Sequence, residues 1–166
     1  MAHGDLPPEV EPRTLVVVFD SPVTRYLLHF AGDLGFRTVL VEPDADRQTA
    51  ADRPTADQVA ALLDRSIVDG IADVVIADHQ RPELGTVLRD ALALPARWVG
   101  VIGSVRHTAR HLAALRSLGV GEDDIARVHR PVGLNIGSRT PAEIALATLA
   151  GLVADRNGRP GGFAWG

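Results

Sequence analysis

The residues best suited to chemistry in this chain lie in one turn, residues 103–106, which reads GSVR. A short apolar run precedes the turn and apolar residues at helical spacing follow it, which predicts a strand, a tight turn and a helix start. The first N–H groups of a helix and the positive end of its dipole attract anions. Ser104 adds a hydroxyl and Arg106 a guanidinium, and both groups suit a phosphate. The pattern indicates an anion site at Gly103, Ser104 and Arg106. The alternative is a turn in which Gly103 only fits the backbone and Ser104 only caps the helix.

Two further candidates follow other predicted strands. His79 lies in a loop after an apolar run and could bind a phosphate or a metal, or act as an acid or base, although a lone loop histidine is more often simply exposed. Glu42 ends a second apolar run, where an acidic residue can hold a ribose hydroxyl, and its alternative is a solvated strand end. His107 and His111 have the spacing of a metal chelate, but no further ligands are indicated, so a solvated helix face is favoured and no metal site is predicted.

The loop after the first predicted strand argues against an ordinary dinucleotide site. Residues 19–24 read FDSPVT and contain no glycine, so Cβ atoms keep the backbone away from a pyrophosphate. Pro22 removes one N–H donor, and Asp20 places a carboxylate where phosphate charge should lie. Binding of NAD(P) in this loop is therefore disfavoured.

The elements that position these residues alternate between strands and helices. Strands are predicted at residues 14–19, 36–41, 71–77 and 99–102. Helices are predicted from a cap at Asp20 or Ser21 to Gly35, over 82–94, from the turn at 103–106 to Gly119, and from a capping box at Thr140 and Glu143 to about 154. Residues 44–57 are predicted to be mostly loop, 56–63 a weak helix, 123–128 a helical turn and 132–137 a short extended piece. The pattern predicts an α/β fold in three layers, with a mostly parallel sheet, helices on both faces and ligands at the carboxyl ends of the strands.

Composition excludes several classes of protein. The chain has 166 residues, a formal charge of −4 and no basic stripe, which argues against general nucleic-acid binding. It contains no cysteine, so disulfides and thiolate sites are excluded. No apolar run reaches the roughly 18 residues of a membrane span, and no signal-peptide core is found near the start, so a cytoplasmic protein is the simplest expectation. We expect a disordered leader at 1–13, one domain at 14–154 and a flexible tail at 155–166.

Three motifs follow one another in the last part of the chain. They are WVGVIGSVR at residues 98–106, PVGLNIG at 131–137 and TPAEIA at 140–145. Together they resemble the C-terminal Rossmann-like domain of the XdhC/CoxI family, over about residues 14–154. The resemblance implies an accessory role in the maturation of molybdenum hydroxylases such as xanthine dehydrogenase and carbon monoxide dehydrogenase. Members of the family are thought to bind the molybdenum cofactor, protect it and help to insert it, so a chaperone is expected here rather than a catalyst.

The resemblance also indicates which residues and partners to expect. Full-length members carry a separate N-terminal XdhC/CoxI domain, so a stand-alone Rossmann-like part is expected here. Its partner would be a hydroxylase subunit or a separate protein with that N-terminal domain, and a homodimer is plausible. The alternatives are an NAD(P)-binding oxidoreductase-like domain and a protein-interaction module without a ligand. The candidate cofactor-binding residues are Glu42, His79, Gly103, Ser104, Arg106, Gly133 and Asn135.

Overall fold

The strands of this chain form one parallel sheet. A computed structural model describes residues 12–103 and 108–163. Within them the sheet has the strand order β3-β2-β1-β4-β5-β6, and every neighbouring pair is parallel. The order reverses between β1 and β4, which is where such folds place the ligand crevice. The strands are β1 (Thr14–Val18), β2 (Arg37–Val41), β3 (Gln58–Ala60), β4 (Ala72–Ile76), β5 (Trp98–Val101) and β6 (Val128–His129).

Helices cover both faces of the sheet, which confirms the predicted three-layer, Rossmann-like α/β fold. The helices are α1 (Thr24–Asp33), α2 (Ala45–Thr49), α3 (Leu84–Ala93), α4 (Thr108–Ser117), α5 (Glu122–Ile125) and α6 (Pro141–Arg156). Buried residues of α3, α4 and α5 pack on one face, and those of α1 and α6 pack on the other. Among the described residues, none of the helices combines the length and the apolarity needed to cross a bilayer.

The central strand β1 shows why the apolar runs form a sheet with two buried faces. All five of its residues are buried, and successive side chains point to opposite faces. Val16 and Val18 belong to the core under α3 and α4, whereas Leu15 and Val17 belong to the core under α1 and α6. Burial on both faces is typical of a central parallel strand and explains the absence of polar alternation in this run.

The last helix begins as predicted. The Thr140 Oγ1 accepts a hydrogen bond from the Glu143 amide at 3.2 Å, and Glu143 Oε2 accepts one from the Thr140 amide at 3.1 Å. This reciprocal pair is the predicted capping box, with Pro141 in the first turn. The helix ends at Arg156, two residues beyond the predicted domain limit of 154. Arg156 donates to the fully buried Asp73 at 3.0 Å, which fixes the end of α6 to the sheet.

One prediction between β2 and β4 is wrong. The weak helix at residues 56–63 is the edge strand β3, which pairs with β2 in the register Val39↔Gln58 to Val41↔Ala60. The open edge of β2 supplies backbone partners that outweigh the local helical pattern. Residues 44–57 are mostly loop, as predicted, and also contain the short helix α2, which Asp44 caps by accepting from the amides two and three residues later, at 3.0 Å and 3.2 Å.

Two other boundaries also differ from prediction. Helix α1 begins at Thr24, and neither Asp20 nor Ser21 caps it; the N-cap is Val23, without a side-chain hydrogen bond. The Thr24 hydroxyl donates to the Phe19 carbonyl at 2.7 Å and so holds the loop against the helix. The predicted helical turn at 123–128 ends at residue 125, and Val128 and His129 form the sixth strand. In place of the predicted extended piece at 132–137, the structure has bent, irregular backbone.

Candidate functional site

The candidate site lies at the carboxyl edge of the sheet, where the loops that leave the parallel strands meet. Asp20 follows β1, Glu42 follows β2, and His79 lies in the loop after β4. Gly103 follows β5, and Arg130 follows β6 directly. The geometry divides this edge into an acidic half over β1 and β2 and a half over β4, β5 and β6 that contains Gly103.

Glu42 is the centre of the acidic half. Its side chain is 0% exposed. Oε2 accepts from the Asp20 amide at 2.8 Å and from Arg81 Nη1 at 3.2 Å. Oε1 accepts from the Asp44 amide at 2.9 Å and from Arg81 Nη2 at 2.8 Å. Each oxygen therefore has two donors, which fills the acceptor capacity of a carboxylate.

These contacts decide the charge state of Glu42. Burial alone would raise its pKa, but the hydrogen bonds from Arg81 and from the amides of Asp20 and Asp44 outweigh burial and lower the pKa. The interpretation of Glu42 as a solvated strand end is wrong. The carboxylate is charged and buried, and its oxygens are already engaged by the protein itself, where a ribose hydroxyl would need them.

Arg81 is a site residue that the sequence did not single out. Its guanidinium lies 4.5 Å from the centroid of the Phe19 ring and also contacts the Glu83 carboxylate at 3.4 Å. The hydrogen bond to Glu42 raises the pKa of Arg81 further above its usual range. Phe19 is fully buried and has a φ of 75°, a conformation that is uncommon for a residue other than glycine. The feature of the sequence that could have indicated Arg81 is Glu42 itself, because a carboxylate that becomes buried needs a cation from a neighbouring loop.

Asp20 adds a second negative group to this half. Burial raises its pKa, and the nearby carboxylates of Glu42 and Asp52 raise it further, against the attraction of Arg47 and Arg25. A phosphate placed at the end of β1 would meet the same carboxylates. The acidic half is therefore poorly suited to a phosphate.

The other half brings His79 and Arg130 together at Gly103. A methyl group added to Gly103 would lie 2.5 Å from Nη2 of Arg130 and 3.0 Å from Nδ1 of His79. Both side chains therefore lie directly against the glycine. Arg130 is half-buried, and burial lowers its pKa. Two nitrogen-bearing side chains at a strand exit are suited to an anion.

The remaining predicted site residues divide into three groups. Ser104 and Arg106 lie outside the described residues, as does His107. Gly133 has a φ of +88° and packs against the backbone of α6 at Ala147, so it fits a close contact between a turn and a helix. Asn135 is exposed in the same segment. The structure thus brings His79 and Gly103 together, and places Glu42 in the acidic half.

Two histidines take places that the sequence did not indicate. His129 stacks on Trp98, with ring centroids 4.8 Å apart and an interplanar angle of 9°. His111 is only 2% exposed, so the interpretation of its helix face as solvated is wrong at this position. The part of the chain that the structure describes contains no group of three or more histidine, aspartate or glutamate side chains placed to hold a metal ion.

The chain matches one family model and is similar to several known proteins. A family model described as XdhC Rossmann domain matches residues 15–152. The chain is 47% identical over 69 residues to the uncharacterized protein YqeB of Escherichia coli (strain K12), a match that covers 42% of this chain and 13% of YqeB. It is 24% identical over 153 residues to a probable xanthine dehydrogenase subunit of Bacillus subtilis (strain 168), which covers 89% of this chain and 44% of that protein.

A solved structure supports the fold. A crystal structure described as a xanthine dehydrogenase from Bacillus halodurans has a TM-score of 0.69 to this chain, with 23% identity. The match covers 89% of this chain and 44% of the other. The chain therefore spans less than half the length of these relatives.

Proposed function

Because the chain belongs to the XdhC family, as its Rossmann domain, we propose that it is an accessory protein in the maturation of molybdenum hydroxylases of the xanthine dehydrogenase or carbon monoxide dehydrogenase type. In this role it binds and hands over the molybdenum cofactor, which is its cargo, and catalyses no reaction of its own. The relative described as a xanthine dehydrogenase subunit supports the link to that class of enzyme.

The proposed contact with the cargo is the phosphate group of the molybdenum cofactor, or of a nucleotide, at the turn after β5. The observation that carries this proposal is the convergence of Arg130 and His79 on Gly103. Ser104 and Arg106 continue the same turn in the sequence and add a hydroxyl and a second guanidinium. A charge-assisted contact of this kind contributes about 1.5–3 kcal/mol.

The two alternatives differ in how well the geometry supports them. An NAD(P)-binding oxidoreductase-like domain needs an acidic residue that can accept from a ribose, and both oxygens of Glu42 are already engaged by Arg81 and two backbone amides. A protein-interaction module without a ligand would instead keep its protein contacts and bind no phosphate compound.

The proposed partners follow from the family to which the chain belongs. A molybdenum hydroxylase would receive the cofactor through one of its subunits, and a protein with the XdhC/CoxI N-terminal domain is the second proposed partner. A second copy of the chain, in a homodimer, is the third proposed partner. Co-purification of the tagged chain with a hydroxylase subunit, and no binding of any small molecule, would favour the interaction module over a cofactor carrier.

The decisive experiment is equilibrium binding to the purified full chain. The ligands are molybdenum cofactor released from a purified hydroxylase, AMP and NADH, each titrated against the unchanged protein, Arg106→Ala and Arg89→Ala. Arg89 is a matched control because it pairs with Asp90 on the exposed surface of α3. We expect cofactor or AMP to bind, and Arg106→Ala to weaken binding about ten-fold or more. If neither ligand binds, or if Arg106→Ala binds as tightly as Arg89→Ala, the assignment of this turn is wrong.

A further inference from the structure

We propose that Arg130 is the principal anion-binding side chain described at this edge, and that its ligand is a phosphate monoester with a single heterocyclic unit, not a dinucleotide. The inference rests on the proposed function and specifies which half of the edge is used and which class of ligand fits there. Three observations lead to it: protein side chains fill one half of the edge, the carboxylates of that half repel phosphate, and the Arg130 guanidinium and the His79 imidazole lie in the other half.

The β1–β2 half is filled by a stack of three side chains. Phe19 lies at the bottom, fully buried, and the Arg81 guanidinium lies over its ring at 4.5 Å. Glu42 closes the stack with its two hydrogen bonds from Arg81. In dinucleotide-binding folds the acidic residue after β2 holds the adenosine ribose at this place. Here the protein's own guanidinium takes the position that the ribose would need.

Arg81 cannot serve as the ligand's cation without leaving this stack. Its Nη1 donates to Glu42, its Nη2 donates to both Glu42 and Glu83, and its Nε donates to Glu83. A phosphate would have to replace carboxylates that are already in place, and would leave the buried Glu42 without its cation. Loss of one partner of a buried ion pair is strongly unfavourable.

The charge of the β1–β2 half excludes a second phosphate. Glu42 and Asp20 are carboxylates at adjacent strand exits, and the pKa of Asp20 is raised by burial and by Glu42. That shift reports a site where additional negative charge is unfavourable. A dinucleotide that extended along the edge from β5 across β4 to β1 would bring its negative charge towards the carboxylates of this half. A single phosphate can remain on the side of β4, β5 and β6.

The β4–β6 half offers the opposite charge. The Arg130 guanidinium and the His79 imidazole both lie against Gly103, whose missing side chain leaves room for the two groups to approach each other. Arg130 is partly withdrawn from water, and electrostatic attraction to a phosphate strengthens as water is excluded. A planar guanidinium also matches the geometry of a phosphate with two parallel donors. The ligand that fits these conditions is small and carries one phosphate group.

The test is a calorimetric titration of the full chain with AMP and with NAD⁺, in which the heat released on binding gives the affinity. The protein variants are Arg130→Gln, Arg130→Lys and Arg89→Gln, and the urea midpoint of each is measured beside its affinity. We expect AMP to bind at least ten-fold more tightly than NAD⁺. Arg130→Gln should weaken AMP about ten-fold or more, Arg130→Lys should weaken it less, and Arg89→Gln should leave it unchanged. Arg130→Lys keeps the charge, so it gives a result even if Arg130→Gln fails to fold.

The outcomes separate this inference from the proposed function. If AMP binds equally to the unchanged chain and to either Arg130 variant, Arg130 is not the anion-binding residue, whereas a phosphate site elsewhere on the turn would remain. If NAD⁺ binds as tightly as AMP, the assigned ligand class is wrong, and the proposed phosphate site survives. If the unchanged chain binds no phosphate compound, including molybdenum cofactor, both proposals are overturned.

Discussion

Arg81 donates one hydrogen bond to each carboxylate oxygen of Glu42, at 3.2 Å and 2.8 Å, and so joins the loop after β4 to the end of β2. The two strands lie on either side of β1 in the sheet, so the pair spans the end of the central strand. The side chains are 9% and 0% exposed. A buried bidentate pair at the position where the strand order reverses both closes the crevice and fixes three loops relative to one another.

Breaking this pair should destabilise the fold. Glu42→Gln leaves the buried Arg81 with only the partly exposed Glu83 carboxylate as counter-charge, so we expect the free energy of unfolding to fall by up to about 3–5 kcal/mol, measured by urea denaturation. Arg81→Met should give a loss of similar size, and the double variant should lose less than the sum of the two. Arg89→Met, which removes an exposed pair with Asp90, should cost about 0–1 kcal/mol. A loss below about 1 kcal/mol for Glu42→Gln would show that the pair does not hold the edge together.

The pH dependence of stability should reflect the lowered pKa of Glu42. Its folded pKa is lowered below the ordinary 4.5, so its carboxylate stabilises the fold above that value. This contribution is lost as the pH falls from 4.5 through the folded pKa. We expect urea midpoints to fall on acidification in that range, and the slope to be shallower in Glu42→Gln. An equal acid slope in both proteins would contradict the assignment.

Asp20 should change stability with pH in the direction opposite to Glu42. Its folded pKa is raised above the ordinary 3.8, so its ionised form is disfavoured in the fold. Its contribution to stability is therefore full below 3.8 and is lost as the pH rises through the folded pKa. We expect Asp20→Asn to raise the urea midpoint at pH 7 and to have little effect at pH 3, where the carboxyl is protonated in both states. A lower midpoint at pH 7 would mean that the Asp20 carboxylate is stabilising after all.

Much of the fold could be predicted from the sequence because its strongest signals are local. The apolar run at residues 14–19 is long enough to identify a central strand, and the capping box at Thr140 involves residues three apart. Strand β3 could not be predicted in this way. Its three residues have little pattern of their own, and they are extended because β2 offers them backbone hydrogen bonds.

The candidate site was only partly predictable for the same reason. The position of Glu42 after a strand was visible in the sequence, but its partner Arg81 is 39 residues away, and no local pattern links the two. Arg130 is likewise separated from Gly103 by two helices and a strand, and only the parallel order of β5 and β6 brings them together. Contacts between loops at one edge depend on strand order, which the pattern of elements does not specify.

Gly133 should be sensitive to any side chain. Its φ is +88°, and a Cβ would lie 2.6 Å from the backbone carbon of Ala147 in α6, so either the turn or the helix must move. We expect Gly133→Ala to cost about 3 kcal/mol or more in the free energy of unfolding, since backbone strain and overpacking add. Gly137→Ala is the matched control, because Gly137 also has a positive φ of +69° but open space around it. It should cost about 1 kcal/mol. Equal losses in the two variants would contradict the close contact with α6.

Gly103→Ala should separate binding from stability. The added methyl would lie 2.5 Å from Nη2 of Arg130 and 3.0 Å from Nδ1 of His79, so both side chains must shift. These are the ends of flexible side chains, and we expect a loss of only about 1 kcal/mol in the free energy of unfolding. Binding of AMP should nevertheless weaken about ten-fold or more, because the two groups that face the phosphate no longer lie together.

Gly32→Ala provides the control: this helix position has nothing within 4 Å, so the change should stabilise the fold by about 0.5–1 kcal/mol and leave AMP binding unchanged. If Gly103→Ala binds AMP as tightly as Gly32→Ala does, the phosphate does not lie over this glycine, and the β4–β6 half is not the binding half.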